Sequence, residues 1–225
     1  DCGLVPEYVL YTRQDETMPH PLADLFRRLL NQGVKILSVS QEVMDAISDL
    51  KTPPGLLAVF PQPRLPPPES PRLVLALDEI RNPGNLGSVL RTAVASGVDL
   101  VLLSPNTVEP YNPKVLRGGM GAHFRLPLLQ LDWAEIAARY GHLAIYLADV
   151  SGSLSYDAVD WRQPSMIILG SEARGPGQEA RRLAQATISI PMAAETESLN
   201  AAVAAGVILY EAQRQRAAAR EGPEI

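Results

Sequence analysis

The strongest pattern in the chain is an alternation, after residue 72, of short apolar runs with segments of helical periodicity. A run such as Leu73–Leu77 has the length and unbroken apolar character of a strand that is buried on both faces. A segment such as Leu86–Ser96 places apolar residues three and four positions apart, which predicts an amphipathic helix. The alternation predicts an α/β fold with a mostly parallel sheet covered by helices on both faces.

Between residues 72 and 216 this pattern predicts a series of strands and helices. The predicted strands are Leu73–Leu77, Val98–Leu103, Leu143–Ala148, Met166–Leu169 and Thr187–Ile190. The predicted helices are Leu86–Ser96, Trp133–Tyr140, Gln178–Gln185 and Ser198–Arg216. The final helix is apolar on most sides, which is more apolar surface than one face of a sheet should cover. We therefore expect a homodimer that is built largely on this helix.

A proline-rich stretch divides the chain. Residues 61–71 contain six prolines, and because proline lacks an amide donor and has a fixed φ, we expect a semi-rigid linker there. It separates a small domain, residues 1–60, from a larger domain, residues 72–225. The elements predicted in the small α/β domain are strands Tyr8–Tyr11, Val34–Val39 and Leu56–Phe60 and helices Pro21–Gln32 and Gln41–Leu50.

Composition and charge argue against several classes of protein. Hydrophobic residues make up 46% of the chain, but no run approaches the roughly 18 apolar residues of a membrane helix. Cys2 is the only cysteine, which excludes an internal disulfide and fits a reducing cytoplasm. With only three histidines besides, we expect no zinc or iron–sulfur site. The net charge of −5 argues against a generally basic coat for nucleic acid but says little about a local patch.

The first candidate site segment, residues 82–91, follows a predicted strand and leads into a helix. Gly84 and Gly87 would let a ligand approach the backbone closely, and Asn85 can cap the helix. Arg91 is expected on the polar face of that helix. A plain strand–turn–helix junction with an exposed arginine would explain the same residues. The Gly-x-Gly-x-x-Gly spacing is absent, which argues against a dinucleotide-binding fingerprint.

The second candidate segment, residues 169–177, also lies between a predicted strand and a predicted helix. It is close to a phosphate-binding loop, but Pro176 stands where the lysine is required and no Ser or Thr follows. A nucleoside triphosphatase is therefore disfavoured. Glu172, between two glycines, could accept a hydrogen bond from a ligand, although a solvated turn carboxylate would look the same.

The third candidate segment, residues 190–200, leads into the final helix. Ser198 is expected to be the N-cap of this helix, a role that would explain it without any ligand. Asn200 would then lie in the first turn, where free backbone amides favour an anionic or polar ligand. All three segments follow strands of one predicted sheet, and ligands of such sheets bind beyond the carboxyl ends of the strands.

Together the three segments resemble the SpoU/TrmH family of RNA ribose 2′-O-methyltransferases, in the SPOUT superfamily. Asn85 and Arg91 match the Asn and Arg of the family's first motif. Glu172 matches the acidic residue of its second motif, and Ser198 and Asn200 match the Ser-x-Asn of its third. The resemblance implies that these five residues form the catalytic site.

A fourth segment also resembles the family, which has a Pro-Lys-x-x-Arg stretch where Lys114 and Arg117 stand. The resemblance makes these two residues candidates for RNA binding. The sequence departs from the family at Gly119, where a serine is usual, and at Glu195 and Glu197, which place two negative charges near a site meant for RNA.

The resemblance implies S-adenosylmethionine as the cofactor, bound largely by backbone groups at Gly170, Ile190 and Leu199 with Met192 beside them. It also implies a C-terminal trefoil knot, no metal, and a homodimer through the knot region and the final helix. Residues 34–60 resemble the end of the family's N-terminal RNA-binding domain. Its usual opening helix is not visible before Leu4, so we expect the chain to be truncated at its N-terminus.

The expected reaction is methylation of a ribose 2′-hydroxyl in structured RNA, with ribosomal RNA favoured and transfer RNA as the alternative. Arg91 could serve as a base or, as we favour, as a clamp on the neighbouring phosphate. Asn85, Ser198 and Asn200 would position Arg91 and the ribose, and Glu172 would order its loop or Asn85. Two other classes stay open: a non-catalytic RNA-binding protein on the same fold, and a small-molecule enzyme of the ordinary dinucleotide-binding type.

Overall fold

The structure is a computed structural model that describes residues 3–12, 20–171, 175–193 and 198–220. It divides into two compact units between Pro63 and Arg64, within the proline-rich stretch. We call the residues up to Pro63 the N-terminal unit and those from Arg64 onward the C-terminal unit.

The N-terminal unit is a small α/β layer. In chain order its elements are β1 (Tyr8–Thr12), α1 (His20–Asn31), β2 (Lys35–Val39), α2 (Gln41–Ile47) and β3 (Leu56–Val59). The strand order is β2-β1-β3, with β1 parallel to β2 and antiparallel to β3. Val9, Phe26 and Val34 form its core, and the ring of Tyr11 meets that of Phe26 edge-on at 5.1 Å. Helix α2 ends three residues earlier than predicted, because Ser48 already has an extended backbone.

The C-terminal unit contains a seven-stranded sheet. Its strands are β4 (Leu73–Leu77), β5 (Leu100–Leu103), β6 (Leu128–Gln130), β7 (Ala144–Ala148), β8 (Leu154–Ser155), β9 (Ser165–Leu169) and β10 (Ala186–Ser189). Its helices are α3 (Pro83–Ala95), α4 (Pro113–Gly119), α5 (Trp133–Tyr140), α6 (Gln178–Leu183) and α7 (Ala201–Arg220). The strand order is β6-β5-β4-β9-β7-β10-β8, and every pairing is parallel. This confirms the predicted α/β fold with a mostly parallel sheet.

Helices cover both faces of the large sheet. Alternate residues of β4 point to opposite sides, so Leu73, Leu75 and Leu77 pack with α3 and α7, whereas Val74 and Ala76 pack with α5 and α6. All residues of β4, β5 and β9 are buried. The continuous apolar runs of the sequence therefore have the two-sided burial that they predicted.

The sequence pattern did not predict α4, β6 or β8. Helix α4 has seven residues, too few for helical periodicity to show, and its start depends on Asn112, whose Oδ1 accepts from the Lys114 amide at 2.9 Å. Its C-cap is Met120, which has a left-handed backbone at φ +47°. Strands β6 and β8 have three and two residues, which is too short for any alternation to be recognised.

Helix α7 carries one strongly perturbed carboxyl group. Arg214 Nε and Nη2 donate to the two oxygens of Glu211 at 2.8 and 2.7 Å, and Gln215 Nε2 donates to one of them at 2.8 Å. The hydrogen bonds from Arg214, and then that from Gln215, stabilise the ionised form and lower the pKa of Glu211 to about 2.

Candidate functional site

A cavity of about 310 Å³ lies in the C-terminal unit, where the chain leaves β7, β9 and β10. Its volume is at the lower end of the range for small-molecule sites. All four predicted cofactor-binding residues line it: Gly170, Ile190, Met192 and Leu199. Ser198 lines it as well. Two of the three candidate segments therefore form one cavity at the sheet edge where ligands of parallel sheets bind.

Gly170 shows how closely the backbone is packed at this cavity. A Cβ atom at this position would lie 2.3 Å from the Pro176 nitrogen and 2.6 Å from the Gly175 carbonyl carbon, so no side chain fits. Gly175 has a left-handed backbone at φ +64°, and its amide donates to the Ser171 carbonyl at 2.8 Å. Both glycines line the cavity, and since they have no side chains they do so with backbone atoms. Glu172 lies outside the described residues.

The walls of the cavity are largely apolar, with contributions from Leu169, Ile188 and Ile208. Asp149, which follows β7, adds an acidic side chain to this lining. Arg181 Nη2 donates to its Oδ2 at 2.6 Å, and the Ser151 amide and hydroxyl donate to its Oδ1.

The surroundings of the Asp149 carboxyl act in opposite directions on its pKa. Burial would raise the pKa of Asp149, but the hydrogen bonds from Ser151 and Arg181 outweigh burial and lower it. Asp149 and its neighbour Val150 were not predicted from the sequence, although both follow a predicted strand. The carboxyl-end rule applied to that strand would have pointed to them.

The third segment differs from the prediction in its helix cap. Helix α7 begins at Ala201, and its N-cap is Asn200, not Ser198: Asn200 Oδ1 accepts from the amides of Ala202 at 2.9 Å and Val203 at 3.4 Å. Both Ser and Asn are good N-caps, and here the chain turns into the helix two residues later than predicted. Ser198 is exposed at the cavity instead.

The first segment meets the third through two asparagines. Asn200 Nδ2 donates to Asn85 Oδ1 at 3.2 Å, joining the beginning of α7 to the first turn of α3 across 115 positions of sequence. The predicted cap of α3 was wrong: Asn82 Oδ1 accepts from the amides of Gly84 at 2.8 Å and Asn85 at 3.4 Å. Pro83 follows the cap at the first helical position, where its missing amide costs nothing.

Gly87 has a structural role that the prediction did not include. It is fully buried where α3 meets α4, and a Cβ there would lie 2.8 Å from the Val115 carbonyl oxygen and 2.9 Å from the Gly118 Cα. The glycine thus permits close helix packing and does not line the cavity. Gly84 does not line it either, and a Cβ there would meet only Asn82 Oδ1, at 3.2 Å.

The predicted basic residues lie on exposed surfaces. Arg91 is exposed on α3 and makes no hydrogen bond or ion pair with any part of the chain that the structure describes. Lys114 and Arg117 are exposed on α4, the helix that packs against α3. None of the three lines the cavity. The cofactor-binding candidates therefore lie next to Asn200, which contacts Asn85. The three basic residues lie outside the cavity, on α3 and α4.

Gly119 lies against a buried histidine. A Cβ at Gly119 would be 3.2 Å from His123 Cε1 and 3.4 Å from Nδ1, so a serine there would need the ring to shift. His123 Nε2 contacts the Pro110 carbonyl oxygen at 2.7 Å, while its Nδ1 has no partner among the described residues. Burial lowers the pKa of His123, which keeps the ring neutral near pH 7.

The described residues contain neither a metal-binding cluster nor a membrane-spanning helix. Over these ranges no three His, Cys, Asp or Glu side chains are grouped so that they could hold a metal ion. None of the helices that the structure describes is both long and apolar enough to cross a membrane.

Fold and site together define an α/β protein with a parallel sheet and a cavity at the carboxyl ends of its strands, next to the first turn of α7. The sequence profile of the SpoU rRNA Methylase family matches residues 72–210. The chain therefore belongs to the SpoU methylase family, which confirms the resemblance drawn from the motifs.

Individual relatives agree with this assignment. The chain is 35% identical to rRNA methyltransferase 3A, mitochondrial, of Danio rerio, over 95% of this chain and 60% of the relative, so it spans less than two-thirds of that protein. It is 28% identical to the 23S rRNA (guanosine(2553)-2′-O)-methyltransferase RlmP of Bacillus subtilis, over 80% of this chain and 73% of the relative. An AdoMet-bound rRNA methyltransferase from Sinorhizobium meliloti has a similar structure, with a TM-score of 0.82, 27% identity, and coverage of 95% of this chain and 81% of that one.

Proposed function

We propose that this protein methylates a ribose 2′-hydroxyl in structured RNA, with S-adenosylmethionine as the methyl donor and ribosomal RNA as the substrate class. The observation that carries the proposal is the position of Asn200. It follows directly on Leu199, which lines the cavity, and it donates a hydrogen bond to Asn85 on the helix that bears Arg91. The name of the Bacillus relative supports the 2′-O position, and the bound AdoMet of the Sinorhizobium structure supports the donor.

The cavity fits this cofactor. Its volume suits a small organic ligand, its walls combine apolar side chains with exposed backbone, and Gly170 leaves no side chain in the way. Gly170, Ile190, Met192 and Leu199 would hold the cofactor. When bound, S-adenosylmethionine supplies a sulfonium methyl group for transfer to an oxygen, with a neutral thioether as the leaving group.

Arg91 is suited to hold the RNA, because it is exposed and has no ion pair within the described chain. A guanidinium stays protonated in proteins, so we assign it to a phosphate next to the target ribose and to the negative charge that develops on the attacking oxygen. Asn85 and Asn200 would orient the ribose. Holding the hydroxyl in line with the methyl group is a proximity effect that can supply several kcal/mol.

Lys114 and Arg117 extend the proposed RNA surface along α4, and the N-terminal unit would add affinity for RNA without taking part in the chemistry. We include the trefoil knot of the C-terminal segment in the proposal. The homodimer is supported by the exposed apolar side chains of α7, since Val203 and Tyr210 are 51% and 52% exposed and lie seven residues apart on one face. Light scattering at micromolar concentration should give the mass of two chains; a monomer that keeps full activity would contradict the dimer.

Calorimetry tests the proposed cofactor site with S-adenosylhomocysteine as the probe. The wild-type chain should bind it, and Gly170→Ala should not, because the added methyl group would overlap the Pro176 backbone. Gly206→Ala is the matched control, since the nearest atom to its new Cβ is 4.0 Å away. The proposal would be contradicted if the wild-type chain did not bind S-adenosylhomocysteine but bound a nicotinamide dinucleotide or ATP.

The RNA substrate is tested separately with labelled S-adenosylmethionine. Transcripts of ribosomal RNA should accept the methyl group more rapidly than transfer RNA does. A preference for transfer RNA would overturn the substrate class and leave the cofactor site intact.

A further inference from the structure

Asp78 and Ser104 are buried polar side chains that the proposed chemistry does not use. Each is 3% exposed and follows a strand directly, Asp78 after β4 and Ser104 after β5. Ser104 Oγ donates to Asp78 Oδ1 at 2.9 Å and accepts from the Glu79 amide at 3.0 Å. Within the described ranges Asp78 is the only acidic residue that is buried. Burial of a carboxylate is costly unless hydrogen bonds satisfy it, so its partners need an explanation.

The second oxygen of Asp78 holds the cavity loop. Its Oδ2 accepts from the Gly177 amide at 2.7 Å, across 99 positions of sequence. Gly177 follows Gly175 and Pro176, which both line the cavity. Pro176 has no amide to donate. The Gly177 amide therefore ties the end of this segment to the sheet.

The position of this segment allows little error. Its backbone passes so close to Gly170 that a single added carbon would overlap it, as shown above. On the other side, a Cβ at Gly177 would lie 3.2 Å from Asp78 Oδ2. A shift of the segment by a fraction of an ångström would therefore change the shape of the cavity wall.

Ser104 also fixes the turn from which Asp78 projects. Glu79 has a left-handed backbone at φ +52°, which is unfavourable for a residue with a side chain and persists only where its surroundings hold it. The hydroxyl of Ser104 accepts a hydrogen bond from the Glu79 amide and donates one to the Asp78 carboxylate. One serine thus supports both the turn and the direction of the carboxylate.

We propose that Asp78 and Ser104 are positioning residues of the cofactor cavity: they hold residues 175–177 against Gly170 in the arrangement that accepts the ligand. The inference rests on the proposed function, because it takes S-adenosylmethionine to be that ligand. Neither residue lines the cavity, so both act through the Gly177 amide.

Two measurements on the full chain test this role. The first is the Kd of S-adenosylhomocysteine by calorimetry. Asp78→Ala should raise it on the order of tenfold to a hundredfold, the scale of a lost hydrogen bond to a charged group. Asp78→Asn should keep it within a few fold of wild type, because its amide group can still accept from Gly177 and donate to Ser104. Ser104→Ala should fall between the two.

The second measurement is hydrogen exchange of the Gly177 amide in ligand-free protein, which should quicken in Asp78→Ala. Ser165→Ala is the matched control for both. Ser165 is fully buried, and its hydroxyl donates to the Gln163 carbonyl at 2.7 Å at the amino end of β9, the opposite edge of the sheet. It should destabilise the fold without changing the Kd.

The outcomes separate this inference from the proposed function. A wild-type chain without affinity for the probe contradicts the proposed function, and exchange at Gly177 then decides alone whether Asp78 holds the segment. The inference is overturned if Asp78→Ala folds, binds S-adenosylhomocysteine as tightly as the wild type and shows unchanged exchange of the Gly177 amide. It is also overturned if Ser165→Ala loses as much affinity for the probe as Asp78→Ala does. If Asp78→Ala does not fold, the same criteria apply to Ser104→Ala. Asp78→Asn should in that case still fold and bind the probe within a few fold of the wild type.

Discussion

Asn200 has two separable roles, and two substitutions distinguish them. Its Oδ1 caps the 20-residue helix α7, while its Nδ2 donates to Asn85 Oδ1. Asn200→Ala removes both groups. Asn200→Asp keeps an acceptor for the helix amides but replaces the donor by an oxygen that faces the Asn85 oxygen. Both variants should therefore lose activity, and the first should lose more stability than the second.

The expected magnitudes follow from the two sets of bonds. Losing an N-cap costs about 1 kcal/mol, which lowers Tm by about 2–4 °C in a protein of this size. An aspartate cap is no worse, because its charge at the helix N-terminus is favourable by about 0.3–1 kcal/mol. The lost hydrogen bond to Asn85 is worth about 1 kcal/mol, so methyl transfer should fall by about fivefold in Asn200→Ala. In Asn200→Asp the two opposed oxygens add repulsion, so the fall should be about fivefold to tenfold.

The assay pairs thermal unfolding with single-turnover methylation at saturating S-adenosylmethionine. We expect both variants to react slowly, and Asn200→Asp to unfold at a temperature closer to that of the wild type than Asn200→Ala does. An Asp variant with the wild-type rate would refute the role of the Asn85–Asn200 contact. An Ala variant with unchanged Tm would refute the cap.

Further variants test other parts of the structure. Arg91→Lys keeps the charge but loses the planar guanidinium, so single-turnover methylation should slow by on the order of a hundredfold while the Kd of the cofactor stays unchanged. A rate that alkaline pH restores would instead indicate that Arg91 acts as a base. Gly87→Ala should cost about 1–3 kcal/mol in denaturant unfolding, because its Cβ would overlap Gly118, whereas Gly206→Ala should not destabilise. The depressed pKa of Glu211 stabilises the fold above about pH 4.5 and ceases to do so towards pH 2, so the Tm advantage of wild type over Glu211→Gln should shrink across that range. A constant difference would contradict the assigned hydrogen bonds.

The periodicity of the sequence predicted most strands of the large sheet and most of its helices, since an apolar run such as Leu73–Leu77 is typical of a strand that is buried on both faces. The caps were harder. Asn82 and Asn85 both suit an N-cap, and only Pro83 at the first helical position signals which one the helix uses. Ser198 and Asn200 offer no such signal, so tertiary packing decides between them.

The roles of glycines and of buried polar groups could not be predicted from the sequence. A glycine near a motif suits a ligand contact or a helix crossing equally well, and the pattern around Gly87 does not say which. The bond from Gly177 to Asp78 joins residues 99 positions apart, and no local signal reports such a pairing. The family motifs pointed to residues that line the cavity because these residues cluster at strand ends, whereas the hydrogen bonds that support them are visible only in the structure.

The most direct test of the proposed function is the position of the methyl group in the product. Ribosomal RNA is incubated with the purified chain and labelled S-adenosylmethionine, digested to nucleosides, and analysed by mass spectrometry. We predict the label in a 2′-O-methylnucleoside, with the amount greatly reduced in Arg91→Lys. Label on a base, or equal label in the Arg91 variant, would contradict the ribose 2′-hydroxyl as the target and Arg91 as the residue that holds it.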